Sequence, residues 1–211
     1  MTNWLESQFS LVGKKALVTG SSKGIGASIA QALAHAGADI VLVGRSEESL
    51  KETKSAIEKI GRKVEIVLCD VSSAEAIKEA FADIADLKVD ILVNNAAANP
   101  YFGHILDTDL AAFNKTVEVN IRGYFFMSVE AGKLMRDNGG GTIVNTASVN
   151  AIQPGAMQGI YSITKAAVVN MTKAFAKECA PLGIRCNALL PGLTKTKFAG
   201  ALFSNDAIYK T

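Results

Sequence analysis

The chain has 211 residues, enough for one α/β domain with a substantial core and short for two. Hydrophobic residues make up 49% and charged residues 20%, a globular composition that excludes a disordered chain. The formal net charge of +2 comes from Lys and Arg scattered among acids, so neither nucleic acid nor a membrane surface is expected as a partner.

Cys69, Cys179 and Cys186 are odd in number and widely spaced, and His35 and His104 are the two histidines. That set suits neither a disulfide framework nor a metal site, and buried thiols in a reducing compartment are expected. Met1–Val12 mixes Glu, Gln and Ser with its apolar residues, unlike the apolar stretch of a signal peptide. No segment is apolar enough for long enough to span a bilayer, and a cytoplasmic location is the expectation.

In chain order, short apolar runs alternate with helical periodicity. Lys15–Val18, Ile40–Val43, Val64–Leu68, Ile91–Val93, Thr142–Asn145 and Ile184–Leu190 read as strands. Helical segments fall between them at Ile25–Ala36, Glu47–Ile60, Ala74–Ala85, Asp109–Met135 (long enough to be broken) and Tyr161–Cys179. Ser72 or Ser73 is positioned to cap the third helix. Such alternation predicts an α/β fold: a single doubly wound parallel sheet with helices on both faces, forming one domain over residues 1–211. Ile40–Val43 is apolar throughout, as a strand covered on both sides must be.

Thr19-Gly20-Ser21-Ser22-Lys23-Gly24-Ile25-Gly26 joins the first strand to the first helix. Glycines there allow a tight turn and close backbone approach to a pyrophosphate, which the free N–H groups of the helix end attract. Ser22 and Ile25 fall within the same turn. The second strand ends in Gly44-Arg45-Ser46. A site for NAD(H) usually carries a carboxylate there for the ribose 2′-hydroxyl; Arg45, with Lys23 nearby, instead favours the 2′-phosphate of NADP(H). A simple strand-end role for Arg45 is the alternative.

Tyr161 and Lys165 stand at i and i+4, on one helical face. A phenol titrates near ~10, and a nearby ammonium lowers that value toward the range useful in acid–base catalysis. Around this pair the glycine turn, Asn94-Asn95-Ala96, Asn120, Ser148 and Pro191-Gly192 occur in one order. The set resembles the short-chain dehydrogenase/reductase family, and the resemblance runs from Leu11 to about Phe198.

That resemblance implies a Rossmann-like fold and a nicotinamide-dependent oxidoreductase acting on small carbonyl compounds or alcohols. It makes Tyr161 the acid–base, and makes Lys165 the residue that holds the nicotinamide ribose and lowers the phenol's pKa. Ser148, thirteen residues before Tyr161, becomes the partner of the substrate oxygen, and Asn120 completes the tetrad through a water relay. By the same resemblance Asp70 and Val71 lie at the adenine, Asn94 steadies the sheet, and Ala96 meets the adenosine ribose. Pro191, Gly192, Thr194 and Thr196 surround the carboxamide.

Asn99, Pro100, Tyr101, Val149, Asn150, Ile152 and Gln158 are the candidate substrate walls, with Asn150 and Gln158 foremost. The segment from Asn94 to Pro100 leans toward the carbonyl reductase and 3-oxoacyl-carrier-protein reductase branches, with sugar and polyol dehydrogenases open. By the same resemblance the apolar helices Phe113–Met135 and Tyr161–Cys179 imply a homodimer or homotetramer. Phe198–Thr211 would begin a lid, after which the family's last strand is expected to be missing and the chain to be C-terminally incomplete. A non-catalytic NADP(H)-binding module, a structural subunit and an NAD-dependent alcohol or sugar dehydrogenase are the other readings.

Overall fold

A computed structural model describes residues 4–196 and Phe198; residues 199–211, where most of the expected lid would fall, lie outside the described residues. After a short helix α1 (Trp4–Phe9), six strands alternate with helices: β1 (Lys15–Thr19), α2 (Gly24–His35), β2 (Asp39–Gly44), α3 (Glu47–Lys59), β3 (Val64–Leu68) and α4 (Ala74–Asp83). β4 (Ile91–Asn94), α5 (Leu110–Val117), α6 (Tyr124–Asp137), β5 (Gly141–Thr146), α7 (Gly159–Cys179) and β6 (Ile184–Leu189) follow. All pairings are parallel, in the order β3-β2-β1-β4-β5-β6. The order reverses between β1 and β4, so the strand ends diverge there and leave a crevice.

Side chains along each strand divide between two cores. Leu17, Val41 and Val43 join Ile77 and Phe81 of α4 and Met127, Ala131 and Met135 of α6. Ala16, Val18, Ile40 and Leu42 join Ala30 and Ala34 of α2 and Leu50 and Ile57 of α3 on the other face. The period of two in strands and the helical stripes of α2, α3, α4 and α6 thus meet on opposite sides of one sheet. Cys69 and Cys186 are buried and Cys179 half-buried, all as free thiols; burial pushes Cys69 up to about 11 and Cys186 up to about 12. Among the described residues no helix is long and apolar enough to cross a membrane, and no acidic, His and Cys cluster is placed to hold a metal.

Helix starts follow local chemistry. Ser46 caps α3 by accepting from Ser49 N, Ser73 caps α4 by accepting from Ala76 N at 3.1 Å, and Asp109 caps α5 by accepting from Ala112 N at 2.7 Å. The long periodic segment from Asp109 is interrupted as its length suggested. Between α5 and α6 the chain widens into a π-helical turn, Glu118–Gly123. Gly123 lets that turn sit against β3's outgoing loop, since a Cβ there would lie 2.5 Å from the Val71 carbonyl oxygen.

Polar groups inside the sheet fix its register. Asn94 and Asn145 face each other across β4 and β5. Asn94 Nδ2 donates to Asn145 Oδ1 and to Ser128 Oγ, both at 2.9 Å, while Asn145 Nδ2 donates to Thr172 Oγ1 at 2.9 Å. Both asparagines are fully buried, so each amide binds the sheet to a helix above it where water cannot substitute. Replacing Asn94 by Ala strands the Asn145 and Ser128 acceptors. The expected cost is about 1–3 kcal/mol, read as a lowered urea midpoint with an unchanged denaturant slope.

Candidate active site

The crevice above the β1–β4 boundary opens into a cavity of about 680 Å³, the size of a site for a sizeable organic ligand. Its floor begins with the glycine turn. Gly20 has φ +63°, and a Cβ on it would lie 2.7 Å from Ala96 Cα. On Gly26 a Cβ would meet Asn95 Nδ2 and the Gly20 carbonyl oxygen, both at 2.4 Å. These two positions accept only glycine: the first for conformation and contact, the second for contact alone. Asn95, part of the Asn94-Asn95-Ala96 motif but given no role by the sequence, holds the turn. Its Nδ2 donates to the Thr19 and Gly20 carbonyls at 3.1 and 3.3 Å.

At the head of α2 the cap position is Lys23, whose side chain makes no capping bond. Unlike those of α3, α4 and α5, this helix end receives no bond from its own cap side chain, and it carries the partial positive charge of a helix N-terminus. Thr196 Cγ2 lies 3.4 Å from a Cβ built on Gly24, so the segment after β6 passes over the same helix end. Two close-packed glycines and a positive helix end are the chemistry that suits a pyrophosphate.

Toward β2 and β3 the cavity is lined by Lys23, Arg45, Ser46, Asp70, Val71 and Lys115. Asp70 Oδ1 accepts from Ser72 N at 2.9 Å and Ser72 Oγ at 2.8 Å. The Ser72 backbone bond is the main cause holding its carboxyl below the usual range, aided by the Lys115 and Arg45 charges. Asp70 therefore has a local turn role besides any ligand role. Lys115, another residue the sequence did not mark, reaches Ser72 Oγ at 3.2 Å from α5.

The opposite wall carries Ser148, Asn150, Gln158, Tyr161 and Lys165. One turn of α7 separates Tyr161 from Lys165, placing both on its sheet-facing side. Lys165 is 1% exposed; its Nζ donates to the Thr146 carbonyl at 2.7 Å and to Tyr124 Oη at 3.4 Å. The ammonium also stands 5.0 Å from the Tyr124 ring and 5.6 Å from the Tyr161 ring. Burial pulls its pKa down to about 7.

Burial also raises Tyr161 above the ordinary phenol value, and the Ser148 hydroxyl bonded to it works in the opposite direction. The protein's own groups thus leave the phenol neutral and proton-bearing. Tyr124 is pushed up further by its deeper burial, and its hydroxyl donates to the Thr146 carbonyl at 3.1 Å. A phenol, a hydroxyl and a buried amine on one wall can together hold an oxygen and move a proton at it.

Of the residues singled out by sequence, most line this one cavity, Pro191, Gly192, Thr194 and Thr196 included. Gly26, Asn94 and Asn120 do not; they stand behind the lining. Asn120 lies in the π-helical turn, fully buried. Its Oδ1 accepts from Ala98 N at 2.8 Å, and its Nδ2 donates to the Ala98 carbonyl at 2.9 Å and Thr164 Oγ1 at 3.0 Å. Both side-chain donors are taken up in joining the turn to the loop after β4 and to α7, so the amide holds these segments together. Pro100, Tyr101 and Ile152, expected as substrate walls, lie outside the cavity: Tyr101 Oη donates to the His104 carbonyl, and Ile152 is 73% exposed. Phe102, Gly155 and Ala156 take their place, with the Phe198 ring 6.2 Å from that of Tyr161.

The sequence profile of the short chain dehydrogenase family matches residues 14–207. Dehydrogenase/reductase SDR family member 4 of Sus scrofa is 38% identical over 96% of this chain and 74% of its own length. A gluconate 5-dehydrogenase from Burkholderia cenocepacia, solved with NADP and tartrate, is 30% identical with a TM-score of 0.91, over 97% of this chain and 80% of that one. A xylitol dehydrogenase solved with NAD+ is 32% identical with a TM-score of 0.82, over 88% and 71% of the two chains. A glycine-lined turn at a helix head, a Tyr–Lys pair one turn apart and this likeness along the chain place the protein in the short-chain dehydrogenase family of oxidoreductases.

Proposed function

We propose that the chain is an NADP(H)-dependent oxidoreductase that reduces a ketone, aldehyde or 3-oxoacyl group to an alcohol, or runs the reverse reaction. The observation that carries this reading is the convergence of Ser148, Tyr161 and the buried Lys165 on one wall of the cavity whose other end is the glycine turn. The nicotinamide supplies or receives the hydride when bound.

In reduction, Ser148 Oγ hydrogen-bonds the carbonyl oxygen and Tyr161 Oη gives it a proton as negative charge develops. The neutral phenol favoured by burial is the form this step requires. Lys165 lies behind the ring, and its ammonium stabilises the phenolate that remains. In oxidation the same phenolate accepts the alcohol proton. Asn120 is a positioning residue here, holding the loop after β4 against α7.

Support for NADP(H) over NAD(H) comes from this chain's own residues. Arg45 and Lys23 are exposed at the mouth of the cavity beside Ser46, and β2 ends in Gly44 where a carboxylate would repel a 2′-phosphate. The gluconate dehydrogenase relative holds NADP and the xylitol dehydrogenase relative NAD+. The latter supports a second reading, an NAD-dependent alcohol or sugar dehydrogenase. We also infer a homodimer or homotetramer, supported by Leu110, Phe113 and Ile163, which stay exposed around an apolar groove between α5 and α7.

Three outcomes test these assignments. Tyr161→Phe should lower turnover at least about a thousandfold across a ketone and aldehyde screen while NADPH fluorescence titration changes little. Arg45→Asp should weaken NADPH binding at least about tenfold and NADH binding far less, removing one bidentate phosphate contact. Lys165 tests the electrostatics. Its amine titrates near about 7 in the fold against 10.5 when free, so between those values the unfolded chain carries the extra proton. Its destabilising contribution is therefore full below about pH 7 and fades as the pH approaches 10.5. Lys165→Met should raise stability by roughly 1–3 kcal/mol at pH 7, with the gap from the parent narrowing toward pH 10 in urea titrations.

A further inference from the structure

Tyr124 begins α6, yet its hydroxyl lies at the end of β5 beside α7. Its backbone carbonyl accepts from Ser128 Oγ at 2.7 Å and Asn94 Nδ2 at 3.4 Å, and its ring packs with Ala147 and Val168. The residue is held at both ends and fully buried. A buried phenol costs more than a phenylalanine of the same shape unless its hydroxyl is put to use.

That use is at Lys165. Tyr124 Oη donates to the Thr146 carbonyl at 3.1 Å, and Lys165 Nζ donates to the same carbonyl at 2.7 Å. Nζ and Oη are themselves 3.4 Å apart, so atoms from β5, α6 and α7 close a triangle. With its own proton on Thr146, the Tyr124 oxygen presents lone pairs to the ammonium. The same Nζ stands 5.6 Å from the Tyr161 ring, which leaves the charge beside two phenols.

Among the described residues, those two phenols are the titratable groups that face the ammonium. In the π-helical turn and α5, Arg122 turns to Glu118 and the Ser72 carbonyl, and Lys115 to Ser72 Oγ. Further along α6, Glu130 and Lys133 pair with each other, and on β6 Arg185 reaches Thr142 at the far end of β5. A buried ammonium so placed keeps its proton through neutral acceptors, and burial has already brought it down to about 7.

We propose that Tyr124 is a positioning residue for the proton step: it shares the Thr146 carbonyl with Lys165, accepts from the ammonium, and so keeps that charge in place beside Tyr161. This rests on the reading of Tyr161 and Lys165 given above. Phenylalanine at 124 would keep the ring and its packing while losing the acceptor for Nζ and the second donor to Thr146. The ammonium would then give up its proton more readily, and the phenolate left by proton transfer would face a weaker counter-charge.

The test follows Lys165 by carbon NMR of lysine-labelled protein, without and with NADPH, its Cε signal assigned by its absence in Lys165→Met. In Tyr124→Phe the Lys165 midpoint should fall by about 0.5–1 pH unit, the loss of one acceptor to a charged donor. Turnover of the ketones and aldehydes screened above should drop about three- to tenfold at roughly one unit above the parent midpoint, and less than about twofold one unit below it. An unmoved midpoint, a loss equal at both pH values, or a lowered midpoint with turnover unchanged would each overturn the proposal while leaving Tyr161 as acid–base intact. If Tyr124→Phe does not fold, 3-fluorotyrosine in the parent protein decides: the chain has four tyrosines, and the fluorine signal that survives replacement of Tyr101, Tyr161 and Tyr209 is that of Tyr124. It should shift with the Lys165 midpoint and lose that shift in Lys165→Met; a signal blind to that midpoint overturns the proposal. Full turnover in Tyr161→Phe would instead sink the acid–base assignment, and the proposal with it.

Discussion

The Thr19 hydroxyl, at the end of β1, makes the bonds on which the crevice depends. It donates to the Val93 carbonyl at 3.3 Å and accepts from Asn95 N at 2.8 Å and Ala96 N at 3.1 Å. One buried oxygen therefore ties the first strand to the chain leaving the fourth, at the point where the sheet order reverses. Asn95 then reaches back to the Thr19 and Gly20 carbonyls. Backbone groups that would otherwise lie unpaired under a bound dinucleotide are satisfied from within. The glycine turn is held open, and the Lys23 side chain makes no capping bond at the head of α2.

From that knot the site spreads through buried polar contacts more than through apolar packing. Asn120 clamps the loop after β4 to α7, and Asn94 and Asn145 tie β4 and β5 to α6 and α7. The helix bearing Tyr161 is thus fixed relative to the glycine turn by donors and acceptors with defined directions. Apolar contact alone tolerates sliding; these bonds do not. The burial that makes them effective also raises the Tyr161 phenol and lowers the Lys165 amine, so both titratable groups are tuned by the same scarcity of water.

Much of this was legible in the chain. Strand and helix periods, the TGxxxGxG turn and the Tyr161–Lys165 spacing are local patterns, and local patterns survive in sequence. The sheet, both helical layers and the membership of one cavity follow from them. What the sequence hid is long-range. Asn95 and Thr19 are 76 positions apart, and no period reveals that their polar groups meet. Lys115 and Tyr124 read as ordinary helix residues until α5 and α6 are set beside the strand ends. Asn120 was visible as a candidate, but its partners on Ala98 and Thr164, which make its side chain a clamp, were not. Tyr101 and Ile152 read as pocket walls because they are near in sequence, while the backbone carries them away from the cavity.

The π-helical turn between α5 and α6 has a consequence for how this fold tolerates change in length. A π-turn holds one residue more than an α-helical turn, and each helical residue rotates the chain by about 100°. Removing any one residue from Glu118–Gly123 would let the two helices run on as a single regular α-helix. α5 would then swing by about that angle, carrying Leu110 and Phe113 off the groove beside Ile163 and unseating Asn120 from Ala98. A length change of one here rearranges an outer apolar surface and an inner clamp at once. The extra residue acts as a phase-setting element, keeping the outward face of one helix in step with the inward face of the next.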